Sequence, residues 1–149
     1  MRVSVCTTVA KPAETLFWLS QDYNRRLEWD KYLSEAYLLG SATVAAVGAE
    51  SFCKNRNGSV LVSKYISFSP PSHAAVQMTS GPWVLSKFGG TWRFERIDKH
   101  CTKVRFIYNF KARPVALTWL MEPVIGCLYR RDMQRRLAAF KHWAEKEAA

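Results

Sequence analysis

Apolar and polar residues alternate from Arg2 to Ala10, with Val3, Val5, Thr7 and Val9 on one side, which is the period-two signature of a strand. Lys11-Pro12 ends it, and Pro12 suits the first turn of a helix. Leu16, Phe17 and Leu19 then recur at helical spacing, so a short amphipathic helix is predicted over 12–20. Asp22 is placed to cap a second short helix running towards Trp29. From Glu35 the period returns to two, with strands predicted at 35–40, 50–56, 59–69, 74–80, 84–97 and 102–112. Asn57-Gly58 marks a hairpin, because both residues accept positive φ. Pro70-Pro71 breaks the next junction, and Asp98-Lys99-His100 forms a turn. Sequential strands joined by tight turns predict an antiparallel meander. Gly89-Gly90 inside a strand predicts a bulge or sharp bend.

The last two strands show the clearest faces. Phe88, Gly90, Trp92 and Phe94 oppose Lys87, Thr91, Arg93 and Glu95; Val104, Phe106, Tyr108 and Phe110 oppose Lys103, Arg105, Asn109 and Lys111, with Ile107 the exception. One side is aromatic and the other charged, as in a sheet with one wet face. After Arg113-Pro114 the period is helical to the end. Leu117, Leu120, Met121, Val124, Leu128, Leu137, Phe140 and Ala144 can form one stripe, with Arg130, Arg131, Arg135 and Arg136 largely off it. Pro123 and Gly126 predict a kink. By this parity Trp92, Phe94, Phe106, Tyr108 and Phe110 face the long helix, and Leu120, Val124 and Leu128 face back.

The chain has 149 residues, 48% of them hydrophobic and 23% charged, which suits one globular domain spanning 1–149. The fold class is α+β. A formal charge of +10 favours acidic partners. Arg131 and Arg135 stack on one helix face, and with Arg130 and Arg136 they are candidates to contact phosphate on an anionic membrane or a ribosome. No RNA-binding motif accompanies them, so specific nucleic-acid binding is not expected. Cys6, Cys53, Cys101 and Cys127 have no metal-ligand spacing. Free thiols, no secretory leader and no apolar run of membrane-spanning length predict a cytoplasmic protein. His73, His100 and His142 all fall off the aromatic face. No nucleophile triad, phosphate loop, dinucleotide fingerprint or zinc motif is present, so no metal, cofactor or catalytic residue is assigned.

The order strand, two short helices, six strands, long helix is carried by three segments: VAKPAETLFWLSQDYNRRLEWDKYL, GGTWRFERID and DMQRRLAAFKHWAE. This pattern resembles the START-like superfamily, also called SRPBCC or Bet v 1-like, in its polyketide cyclase/dehydratase and coenzyme Q-binding branch. The resemblance covers essentially the whole chain. It implies a helix-grip fold of about seven strands around a long C-terminal helix, with an apolar cavity between them. A lipid, quinone or polyketide-like ligand would then lie against Trp92, Phe94, Phe106, Tyr108, Phe110, Leu120, Val124 and Leu128. Tyr108 is the best polar candidate, since its hydroxyl sits on an otherwise apolar wall. The alternative is that these residues simply fill a core. Two other functions stay open: a cyclase/dehydratase enzyme, or a basic interaction protein docking on ribosome or membrane.

Overall fold

The computed structural model describes residues 1–147. In chain order the elements are β1 (Arg2–Val9), α1 (Ala13–Ser20), α2 (Arg26–Trp29), β2 (Leu33–Leu38), β3 (Glu50–Asn55), β4 (Val60–Ser69), β5 (His73–Ser80), β6 (Leu85–Asp98), β7 (Cys101–Ala112), a 3-10 turn (Val115–Leu117) and α3 (Thr118–Lys146). The strands form one antiparallel sheet in the order β1-β7-β6-β5-β4-β3-β2. Strands β2 to β7 are therefore a meander, and β1 returns to close beside β7. The sheet curls around α3, which is the helix-grip arrangement.

Register shifts interrupt three of the ladders, at Leu33/Glu35, Val62/Ser63, Tyr65/Ser67, Leu85/Lys87 and Arg96/Asp98. Such bulges bend a strand and raise its twist, which is what a sheet needs to wrap a helix. None falls at Gly89-Gly90, contrary to one of the two expectations there: these residues pair in register with Gln77 and Val76. Gly90 instead keeps a place clear beside Tyr108, whose ring lies 3.5 Å from where a Cβ would stand. The hairpin at Asn57-Gly58 forms, but only Gly58 takes positive φ, at 96°. Its amide donates to the Asn55 carbonyl, and the Asn55 side chain accepts from the Ser59 amide. Asp22 does not cap α2. Its carboxylate and carbonyl hold the preceding turn, accepting from the amides of Asn24 and Arg25.

The core lies on the concave face. Phe140 of α3 meets Trp29 of α2 and Trp92 of β6 edge-on, with centroids at 5.0 and 5.3 Å. Phe17 of α1 packs on Phe94 and Phe68. Met133, Leu137, Phe140 and Ala144 are all buried. The expected single stripe along α3 therefore holds only in its second half. Leu117, Leu120, Val124 and Leu128 are exposed. The reason is rotation: Val124 and Met133 are nine residues apart, about two and a half turns, so they point to opposite sides. In the first half Gly126 faces the sheet instead, against Met1 and Val3, and Tyr129 packs on Phe88, Tyr108 and Phe110. The helix runs without interruption through Pro123.

Candidate functional site

A cavity of about 140 Å³ lies between the concave face of β3–β7 and α3. Its apolar wall is built by the period-two faces of the two longest strands. Phe88 and Trp92 come from β6, and Phe106 and Tyr108 from β7, with Tyr129 closing it from α3. The rings interlock, Trp92 stacking on Phe106 at 4.6 Å and Tyr108 meeting Phe88 edge-on at 4.7 Å. The opposite wall is mixed, with Tyr23, Ser51, Cys53, Ser63 and Tyr65 among apolar residues of β4 and β5.

A charged cluster closes the inner side. The Asp30 carboxylate is wholly buried and accepts from both neighbouring guanidiniums. Arg26, one helical turn earlier, donates through Nε at 2.9 Å. Arg136 donates through Nη2 at 2.9 Å and through Nε at 3.2 Å. The Tyr32 amide adds a further bond at 3.3 Å. Burial pushes the Asp30 carboxyl up, but Arg136 and Arg26 more than offset this and hold it below the usual carboxylate range. Burial likewise disfavours the Arg136 charge, yet Tyr108 and Asp30 outweigh it and the guanidinium stays protonated. Two buried cations against one buried anion leave one positive charge in excess beside the cavity.

That excess is aimed at Tyr108. Arg136 Nη1 donates to the Tyr108 hydroxyl oxygen at 2.6 Å. The phenol thus accepts from a cation, and among the described residues its own proton has no acceptor. Burial raises its pKa, only partly countered by Arg136, so it remains a neutral donor at physiological pH. Across the cavity the polar chain is self-satisfied: Tyr65 donates to Gln21 Oε1 at 2.6 Å, and the Tyr23 and Tyr65 hydroxyls lie 2.9 Å apart. Ser63 Oγ is buried with no hydrogen-bond partner among the described residues. Burial pushes the Cys53 thiol up despite Arg26 and Arg136 nearby, which keeps it protonated.

Of the residues expected to contact a ligand, Trp92, Phe106 and Tyr108 line the cavity. Phe94 and Phe110 are buried on the same face but lie further along the strands, outside the lining, against Phe17 and Tyr129 respectively. Leu120, Val124 and Leu128 lie on the solvent side of α3, so the parity argument fails for the helix. Arg136 was expected off the apolar stripe with Arg130, Arg131 and Arg135; it is buried, while those three are exposed. Its position had a signal: it falls three residues after Met133 and four before Phe140, on the buried face. Arg26 and Asp30, missed as site residues, are an i, i+4 pair in the sequence. Tyr23, Tyr65, Cys53 and Ser63 carried no such mark.

The three histidines stay outside. His73 Nε2 bonds Ser67 Oγ at 2.8 Å, and none of the three lines the cavity. Among the described residues no three His, Cys, Asp or Glu side chains converge as a metal site. No helix among them is long and apolar enough to cross a membrane.

Comparison with known proteins agrees with this fold. The model of a family described as polyketide cyclase / dehydrase and lipid transport matches residues 1–145. A START superfamily protein from Mycobacterium smegmatis superposes with a TM-score of 0.82 at 12% identity, covering 97% of each chain. The Zhui aromatase/cyclase from Streptomyces sp. R1128 gives 0.80 at 16% identity, over 98% of this chain and 94% of that one. XoxI from Bacillus cereus gives 0.78 at 11% identity, over 97% and 96%. At these identities the likeness is one of fold. No curated protein matches the sequence.

Proposed function

Since the chain belongs to the polyketide cyclase/dehydrase and lipid transport family of the START-like superfamily, we propose that it binds an apolar small molecule through one oxygen held by Tyr108. The observation that carries this reading is the Tyr108 hydroxyl, which accepts from Arg136 and has its own proton to give. A ligand carbonyl or phenolate oxygen there would accept a bond from a phenol polarised by a buried cation. Such charge-assisted bonds are among the stronger ones. Ser63 Oγ offers a second polar point on the opposite wall.

Size narrows the ligand further. A cavity of about 140 Å³ is close to one that admits a single benzene-sized ring. It is below the ~300–1,000 Å³ of drug-sized sites. The part enclosed is therefore one ring or one short oxygen-bearing end.

One observation favours a second reading, catalysis of the cyclase type. Asp132 lines the cavity and, among the described residues, makes no ion pair or hydrogen bond. A carboxylate and oxyanion-stabilising donors on the lining of one cavity are the minimum for removing a proton beside a carbonyl. Native mass spectrometry of freshly purified protein, followed by titration with single-ring phenols and ketones, tests both readings. Retained or saturable ligand that is lost in Tyr108→Phe supports binding at this hydroxyl; equal affinity in that variant sinks it. Turnover of a bound ketone that Asp132→Asn abolishes without loss of affinity would shift the reading to an enzyme.

A further inference from the structure

The solvent side of α3 is unlike that of an ordinary surface helix. Leu120, Val124 and Leu128 follow one another at i, i+4 and i+8, all exposed, with the exposed Cys127 beside them. The same stripe continues into Arg131 and Arg135, also exposed. The helix is thus apolar at its start and basic further along, on one face. The 3-10 turn before it adds Val115, 81% exposed, and the first turn adds Trp119, 74% exposed. The β5–β6 loop joins them at the same end of the sheet. The Arg113 amide donates to the Val84 carbonyl at 2.7 Å, which fixes that loop beside the entry to α3. Next to Val84 stands Trp83, 66% exposed. Lys87 and Lys111, paired across β6 and β7 just behind, are exposed and belong to none of the ion pairs among the described residues.

We propose that this end of the molecule docks on the surface of an anionic lipid bilayer, with Trp83, Trp119 and Leu120 at the headgroup–acyl boundary and Arg131 and Arg135 on lipid phosphates. Large contiguous apolar patches on monomers mark contact sites. Projecting tryptophans flanked by basic residues are suited to a membrane interface. Charge decides between occupants. A second copy on this face would bring two chains of +10 together through their arginines, whereas an anionic leaflet attracts the same groups. The stripe enters obliquely, its apolar start deepest and its arginines nearer the phosphates. Cavity lining also reaches this end, through Ser59 and Pro82. The docking does not rest on any cavity ligand.

The test is flotation of the full chain with vesicles of phosphatidylcholine alone and of equimolar phosphatidylcholine and phosphatidylserine, at low and high salt. Co-flotation with the anionic vesicles, weakened by salt, is expected. The R131A/R135A variant is expected to lower that affinity roughly thirtyfold. The L120D/V124D variant is expected to abolish it while keeping the wild-type near-ultraviolet circular dichroism, since both side chains are already outside; W119D serves if that spectrum changes. No flotation with either vesicle, or flotation unchanged in the aspartate variants, would overturn the proposal. So would a wild-type dimer in sedimentation velocity that L120D/V124D converts to monomer, because a second copy would then be the occupant.

Discussion

In the second half of α3, Met133, Leu137, Phe140 and Ala144 are sealed against the sheet with an arginine among them. In the first half Leu120, Val124 and Leu128 stand in solvent. The halves carry apolar residues at the same spacing on one continuous helix, and they point to opposite sides. What separates them is the partner each meets. The second half lies over Trp29, Trp92 and the Asp30 carboxylate, so its inward face needs hydrophobes and one cation. The first half is held from within by Gly126 on Met1 and by Tyr129 on three rings, which leaves its leucines nothing to cover. A charge inside and leucines outside are thus two sides of one rotation.

Substitutions can break this contrast, and the largest effects belong to the inner half. Asp30→Asn leaves Arg26 and Arg136 buried without their anion and should cost about 3–5 kcal/mol in urea unfolding. The same pair predicts a pH dependence. Because the folded pKa of Asp30 is depressed, its stabilisation is complete above the ordinary carboxylate value of about 4 and is lost as pH falls through the lower folded value. An acid titration of thermal stability should show this loss in the wild type and not in Asp30→Asn. Phe140→Ala opens a hole among Trp29, Trp92 and Trp143 and should also cost about 3–5 kcal/mol. Tyr108→Phe removes one hydroxyl from Arg136, which keeps Asp30; about 1 kcal/mol of stability is expected to go, with about tenfold or more of ligand affinity. At the bottom, Leu128→Ser on the outer half should change stability by no more than about 0.5 kcal/mol. A loss comparable to that of Phe140→Ala would show that the outer stripe is part of the fold and not a free face.

The strands were readable in the sequence because a period of two on a sheet with one wet side leaves little choice of face. That parity put Trp92, Phe106 and Tyr108 on the side facing the helix, and the family resemblance supplied the cavity between them. The helix was not so determined. Two apolar stripes on different faces merge into one when read as a list, and only the partners of Gly126 and Tyr129 show where the rotation puts them. The charged cluster was half legible. Arg26 and Asp30 are neighbours on one turn, but Arg136 lies 106 residues beyond Asp30, and nothing local joins them. Ser63 and Cys53 were hidden for a simpler reason: a small polar residue on a strand looks the same facing water or facing a cavity.

The division between an inner and an outer surface also sorts the tryptophans, and with them the light the protein emits. Trp29 and Trp92 are 2% and 7% exposed and touch edge-on, while Trp83 and Trp119 stand almost free. The molecule therefore carries buried and exposed fluorophores in one chain, with Trp18 half-exposed on α1 and Trp143 partly buried between the extremes. Iodide should quench the red-shifted family and leave a blue-shifted remainder. Loss of that remainder reports the opening of the core, and a blue shift of the quenchable family reports that the outer face has been covered, each without any added dye.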